Sequence, residues 1–158
     1  MARKDTIFEG VATALITPMT EDGVNYEQFG ALIDWQIASG IDALVIAGTT
    51  GEGSTLTDEE HKACISFAVE RAAGRVPIIA GTGSNDTDYA ISLTRFACEA
   101  GADAMLVVTP YYNKCTQNGL VAHYLKIVDS INVPAILYNV PGRTGVDIKP
   151  ESYAKLCK

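Results

Sequence analysis

The sequence has no cluster of basic residues and no Cys-x-x-Cys pair. Its 12 Lys and Arg residues are outnumbered by 19 Asp and Glu residues, which gives a net charge of −7. That balance argues against a nucleic-acid partner, which would require a basic stripe. The four cysteines lie far apart, so a disulfide framework or zinc site is not expected and reduced cytosolic thiols are favoured.

Long apolar runs are also missing, and none approaches the length of a membrane span. The run at residues 11–16 is too short for a signal peptide and contains Thr13. The only two histidines, His61 and His123, have no partner at metal-ligand spacing, so no metal site is predicted. These features predict a cytoplasmic globular protein without membrane contact.

Short apolar runs alternate with segments of helical periodicity, which is typical of βα units on a parallel sheet. The predicted strands are apolar nearly throughout, as expected for strands covered on both faces: residues 11–17, 43–47, 77–81, 104–109 and 134–139. The predicted helices run over residues 26–39, 57–74, about 85–101 and about 120–131, and a fifth opens at Pro150. All 158 residues are assigned to one domain.

Two architectures compete for five βα units. On composition alone, a five-stranded doubly wound sheet is favoured, since a complete (β/α)8 barrel needs roughly 250 residues. An internal repeat points the other way. The segment at 40–43 (GIDA) recurs at 101–104 (GADA), and 76–79 (VPII) recurs at 133–136 (VPAI). Alternate strands are therefore alike, as in a barrel whose interior is layered from alternate strands.

Polar segments follow three predicted strands, at residues 48–53 (GTTGEG), 109–113 (TPYYN) and 138–144 (YNVPGRT). The carboxyl ends of parallel strands are where α/β folds build active sites. Glycine and threonine in the first segment can offer amides and hydroxyls to an anion. Tyr138 could move protons, and Arg143 offers a fork for a carboxylate. Taken singly, the first segment could be a tight turn between a strand and a helix. The second could be a packed tyrosine pair, and the third an exposed arginine in a Pro-Gly turn.

A fourth segment, residues 81–85 (GTGSN), is interpreted as a turn and helix cap rather than a catalytic loop. His61 is interpreted as a helix-face residue with regulatory potential. It belongs to an alternating charged stretch at residues 58–62 that is typical of a solvated first helical turn.

Residues 48–52, 80–83, 109–113 and 138–144 together resemble the dihydrodipicolinate synthase family, within the pyruvate-dependent class I aldolases. The resemblance extends from about residue 7 to the last residue. It implies an α/β fold of the (β/α)8 TIM-barrel family, of which this sequence holds about the first five βα units. It also implies a homotetrameric, cofactor-free lyase of lysine and diaminopimelate biosynthesis. Such an enzyme condenses pyruvate, bound as a Schiff base and enamine, with L-aspartate semialdehyde.

The resemblance assigns roles residue by residue. Thr49, Tyr138 and Tyr112 would form a proton relay, with Tyr112 reaching into the neighbouring subunit's site. In the glycine-rich loop, Thr50 and Gly51 would hold the pyruvate carboxylate. Arg143 would bind the carboxylate of the semialdehyde, a bidentate task for which lysine is poorly suited. Thr49 and Arg143 also favour the synthase over the N-acetylneuraminate lyases, which remain an alternative.

The family's Schiff-base lysine would lie on the sixth strand, just beyond residue 158. None of the seven lysines present is a suitable replacement: Lys4, Lys62, Lys114, Lys126, Lys149, Lys155 and Lys158. The expectation is an amino-terminal part of a synthase that is inactive alone. A non-catalytic partner of a full-length synthase is a further alternative.

Many members of the family bind lysine as an inhibitor in a cleft between subunits. His61, Asn85 and Tyr111 match that allosteric site. Tyr89, however, stands where inhibited members carry a glutamate, and Gly53 replaces a commoner serine. Without the glutamate, the ammonium group of lysine loses its partner. We therefore expect weak or absent inhibition by lysine.

Overall fold

The computed structural model describes residues 6–157 as an α/β fold. The strands are β1 (Ala12–Ala14), β2 (Met19–Thr20), β3 (Gly23–Val24), β4 (Ala43–Ile46), β5 (Ile78–Gly81), β6 (Ala104–Val108) and β7 (Ala135–Tyr138). The helices are α1 (Tyr26–Ala38), α2 (Asp58–Ala72), α3 (Thr87–Glu99), α4 (Gln117–Val128), α5 (Pro141–Thr144) and α6 (Pro150–Leu156).

Five strands form one parallel sheet in the order β1-β4-β5-β6-β7, which is also their order along the chain. A doubly wound sheet would contain a reversal of strand order. The doubly wound sheet favoured by composition alone is therefore wrong, and the partial-barrel prediction is confirmed. The reason lies in the connections, because each helix returns the chain to the next neighbouring strand on the same side.

Side chains along the strands alternate between two apolar layers. Leu44, Ile46 and Met105 belong to the larger cluster, which also contains the helix residues Phe29 and Ile65. A smaller cluster contains the intervening positions Ala43, Val45, Ile79 and Ala104. The two layers follow from the period of two along a strand. Because both sets of alternating side chains pack in an apolar layer, the strand sequences are apolar nearly throughout.

The predicted helix starts are largely confirmed by their caps. At α2, Thr57 Oγ1 accepts from Glu60 N (3.2 Å), and Glu60 Oε2 accepts from Thr57 N (2.9 Å), which is the predicted capping box. Helix α4 starts three residues before the predicted position, because Thr116 provides its N-cap. The β2–β3 hairpin and the short helix α5 were not predicted. Each has too few residues to show a periodicity.

The aspartate of the internal sequence repeat makes the same hydrogen bond in both copies. Asp42 Oδ2 accepts a hydrogen bond from Val11 N, and Asp103 Oδ2 accepts one from Ile78 N, both at 2.8 Å. In each repeat, the aspartate therefore fixes the start of the preceding strand in the sheet. A Cβ on Gly10 would overlap the Asp42 carboxylate, and its φ of +123° also requires glycine.

We predict that Asp103→Ala lowers the free energy of unfolding by about 1–3 kcal/mol, because the Ile78 N–H would lose its acceptor. Asp103→Asn, which keeps an acceptor oxygen, should lie close to wild type. Urea denaturation followed by far-ultraviolet circular dichroism measures both variants. Equal stability of the alanine and asparagine variants would contradict this assignment.

Candidate active site

The backbone of the loop after β4 packs closely against the end of β5. A Cβ on Gly81 would lie 2.5 Å from the Ala47 carbonyl oxygen, and one on Gly53 would lie closer still. Ala47 itself adopts a φ of +53°, which turns the chain sharply out of the strand. Thr17, buried beyond β1, donates from Oγ1 to the Gly51 carbonyl at 2.7 Å. Glycine is thus required at Gly53 and Gly81 for this close approach.

His61 lies beneath the same loop, on the first turn of α2. Its side chain is buried, and Nε2 is 2.8 Å from the Gly81 carbonyl oxygen, which can only accept a hydrogen. Burial lowers the pKa of the imidazole, against the opposing effect of the Gly81 and Gly53 backbone groups. The interpretation of residues 58–62 as a solvated turn is therefore wrong at His61, which connects the helix to the end of β5.

A cavity of about 370 Å³ opens at the carboxyl ends of β4, β5, β6 and β7. It collects residues from all four polar segments of the sequence: Thr49, Gly81, Gly83, Ser84, Tyr111, Tyr138, Arg143 and Thr144. The hydroxyls of Thr49 and Tyr138, which can relay a proton, thus share a cavity with the Arg143 guanidinium, which can bind a carboxylate. Arg143 makes no ion pair with any residue in the range 6–157.

Other candidates lie outside the lining of this cavity. Thr50 is exposed on the loop, and Gly51 is buried with its carbonyl bonded to Thr17. The Asn85 carbonyl accepts a hydrogen bond from Asn113 Nδ2 at 3.2 Å. Tyr112 is 89% exposed at a φ of +70°, so its phenol projects away from the surface of its own chain. The roles assigned to these residues stay predictions.

Tyr89 also lines the cavity, together with Ser54 and Leu56. The pKa of the Tyr89 hydroxyl is raised, first by burial and then by the nearby Asp58 carboxylate. Lys62 Nζ contacts Asp58 Oδ2 at 2.6 Å and holds the pKa of that carboxyl below its usual range. The negative charge nearest Tyr89 is therefore already paired with a cation.

Sequence reasoning missed some residues that shape the site. Ser84 lines the cavity while its Oγ accepts from Asp86 N at 3.1 Å. The segment 81–85 is therefore part of the site lining, and its interpretation as a turn and helix cap is wrong, because Gly81 ends β5 and the N-cap of α3 is Asp86. Thr17 holds the glycine loop from β1. Its signal was present, because Thr17 is a polar residue at the carboxyl end of a predicted strand, as are Thr49 and Thr109.

Within residues 6–157, no three His, Cys, Asp or Glu side chains come close enough together to hold a metal ion. Over the same range, none of the helices has both the length and the apolar character needed to cross a membrane. The polar side chains that line the cavity carry hydroxyl groups and one guanidinium.

Comparison with known proteins matches residues 7–158 to the dihydrodipicolinate synthetase family. The chain is 57% identical to the 4-hydroxy-tetrahydrodipicolinate synthase of Acetivibrio thermocellus over 96% of its own length and 52% of that protein. It is 53% identical to the same enzyme of a Thermoanaerobacter species, over 51% of that protein. The chain therefore spans about half the length of the curated relatives it matches.

Solved structures agree in fold. The dihydrodipicolinate synthase of Aquifex aeolicus superposes with a TM-score of 0.93 at 51% identity, over 95% of this chain and 51% of that one. The chloride-inhibited enzyme of Acinetobacter baumannii, solved with pyruvate, gives a TM-score of 0.93 at 49% identity, over 97% and 53% of the two chains. On sequence and fold together, this chain belongs to the dihydrodipicolinate synthetase family.

Proposed function

We propose that the protein containing this chain is a 4-hydroxy-tetrahydrodipicolinate synthase. It condenses pyruvate with L-aspartate semialdehyde in lysine and diaminopimelate biosynthesis, in the cytoplasm. The observation that carries the proposal is the convergence of Thr49, Tyr138 and Arg143 on one cavity at the carboxyl edge of the sheet. The pyruvate bound in the similar Acinetobacter baumannii enzyme supports pyruvate as the first substrate.

Proton transfer is proposed to run through Thr49, Tyr138 and Tyr112. A tyrosine titrates near pH 10, so it moves protons at neutral pH only within a chain of hydrogen-bonded groups. Tyr112 is too exposed to complete that chain inside its own subunit. Its position supports a role in the site of a second copy, and therefore a homo-oligomer, as in the tetramer of the family.

The second carboxylate-binding group is proposed to be Arg143. It lines the cavity and is unpaired among residues 6–157, so its fork is free for a ligand. An arginine at this position supports the synthase over the N-acetylneuraminate lyase alternative. The semialdehyde carries the carboxylate that this arginine would bind.

The Schiff base is proposed to require a lysine outside this stretch of sequence. None of the residues in the range 6–157 that line the cavity is a lysine. Lys62 and Lys149 are paired with Asp58 and Asp147, and Lys114 is exposed outside the cavity lining. We therefore propose that the 158 residues alone do not turn over.

We predict that the isolated 158-residue chain gains no mass when treated with pyruvate and borohydride. The natural protein containing it should gain one reduced pyruvate adduct, because borohydride traps a Schiff base as a stable amine. Intact-mass spectrometry measures both, and borohydride without pyruvate is the control. An adduct on the isolated chain would refute the exclusion of its lysines, and no adduct on the natural protein would refute the proposed function.

We predict that Arg143→Ala in the natural protein raises the KM for L-aspartate semialdehyde about 10- to 100-fold, the range for a charged hydrogen bond. The KM for pyruvate should stay close to wild type. Arg95→Ala, on the exposed side of α3, is the matched control. Steady-state kinetics with each substrate varied in turn measures the split. An unchanged KM for the semialdehyde would exclude Arg143 from substrate binding.

We predict weak inhibition by lysine. At the rim, an incoming ammonium would meet the neutral Tyr89 phenol, and the adjacent Asp58 is already paired with Lys62. Tyr89→Glu should lower the half-inhibitory lysine concentration about ten-fold, or about 1.4 kcal/mol. Tyr89→Gln, which adds no charge, should leave it unchanged. Inhibition of the wild-type protein at micromolar lysine would count against this proposal.

A further inference from the structure

The loop between β7 and α6 is closed on itself by one side chain. Asn139 Nδ2 donates to Asp147 Oδ1 at 2.9 Å, and Asn139 Oδ1 accepts from Ile148 N at 3.2 Å. Both polar atoms of the amide are therefore used, eight and nine residues along the chain. Asn139 thus fastens the two ends of the segment that carries Arg143.

Inside this closed loop, Thr144 fixes the turn. Its Oγ1 lies within hydrogen-bond distance of the carbonyl oxygens of Val140 (3.1 Å) and Val146 (3.0 Å), and it accepts from Val146 N (3.2 Å). Thr144 and Val146 are buried, whereas Arg143 between Gly142 and Thr144 is exposed. The backbone on both sides of Arg143 is therefore held by the chain itself.

Gln117, the first residue of α4, attaches this loop to the next element. Its Nε2 donates to the Asp147 carbonyl at 2.8 Å, and its Oε1 accepts from Lys149 N (3.1 Å) and Ser152 Oγ (2.6 Å). Helix α4 directly follows the segment at 109–116 that carries Tyr112. The segment 139–148, called the Arg143 loop below, is thus attached to α4, the helix that follows the Tyr112 segment.

We infer that Asn139 is a positioning residue that fixes the Arg143 loop and thereby sets the affinity for the carboxylate of the second substrate. This inference rests on the proposed function. Arg143 has no partner within residues 6–157 that could hold its guanidinium, so its position depends on the backbone beneath it. A bidentate contact to a carboxylate tolerates little displacement of that backbone.

Exchanging the side chains of Asn139 and Asp147 distinguishes a positioning role of Asn139 from a general effect on stability. In Asn139→Asp, two carboxylates face each other where an amide now donates to Asp147, so the loop closure is lost. In the double variant Asn139→Asp with Asp147→Asn, the new amide donates in the opposite direction and Ile148 N keeps an acceptor. Lys149→Ala removes only the exposed ion pair to Asp147 and is the matched control.

The first measurement is steady-state kinetics on the natural protein containing the chain. Asn139→Asp should raise the KM for L-aspartate semialdehyde about ten-fold, as for loss of one charged contact. The KM for pyruvate should stay close to wild type, and the double variant should recover most of the loss. Equal changes in both KM values, or no recovery in the folded double variant, would overturn the inference.

The second measurement is amide hydrogen exchange, which needs no activity. The Arg143 and Thr144 amides donate to the Val140 carbonyl at 2.9 and 3.1 Å. Their exchange should accelerate in Asn139→Asp and return in the double variant. Unchanged exchange in Asn139→Asp would overturn the positioning role. A wild-type protein that exchanges as expected but does not turn over the two substrates would instead refute the proposed function.

Discussion

The close approach of the glycine loop to the end of β5 is the constraint on which the site depends. The Ala47 carbonyl occupies the space in which a side chain at Gly53 or Gly81 would lie. Because neither glycine has a side chain, the loop after β4 can pack closely against the end of β5. His61 Nε2 lies within hydrogen-bond distance of the Gly81 carbonyl there. Thr49 is thereby carried to the rim of the cavity rather than away from it.

The fold was largely predictable because its strands are apolar nearly throughout, and β4 and β5 are buried at every position. Continuous apolar runs located β4, β5, β6 and β7 to within two residues, and the Asp42 and Asp103 repeat indicated the barrel arrangement. Composition alone could not give the strand order, since the same five units fit a doubly wound sheet. That order is set by the side to which each helix returns the chain, which local sequence does not record.

The site was predictable in location but not in detail. Polar residues at strand ends led to Thr49, Tyr138 and Arg143, which share the cavity. The same signal also marks Thr17, whose hydroxyl bonds a backbone carbonyl instead. Both roles need a hydrogen-bonding side chain at a strand end. Sequence therefore does not separate residues that face a ligand from residues that hold the loop, and only the contacts do so.

The loop after β7 contains both kinds of residue: Arg143 faces the cavity, whereas other side chains hold the loop. Asn139 and Thr144 satisfy the backbone and side-chain hydrogen bonds of their own loop. Asp147, the carboxylate in the same loop, is bonded to Asn139 and Lys149, and both contacts lower its pKa. Arg143 makes no ion pair within residues 6–157, and the backbone on both sides of it is hydrogen-bonded. That combination, a rigid support and an uncommitted charge, is what binding a small carboxylate requires.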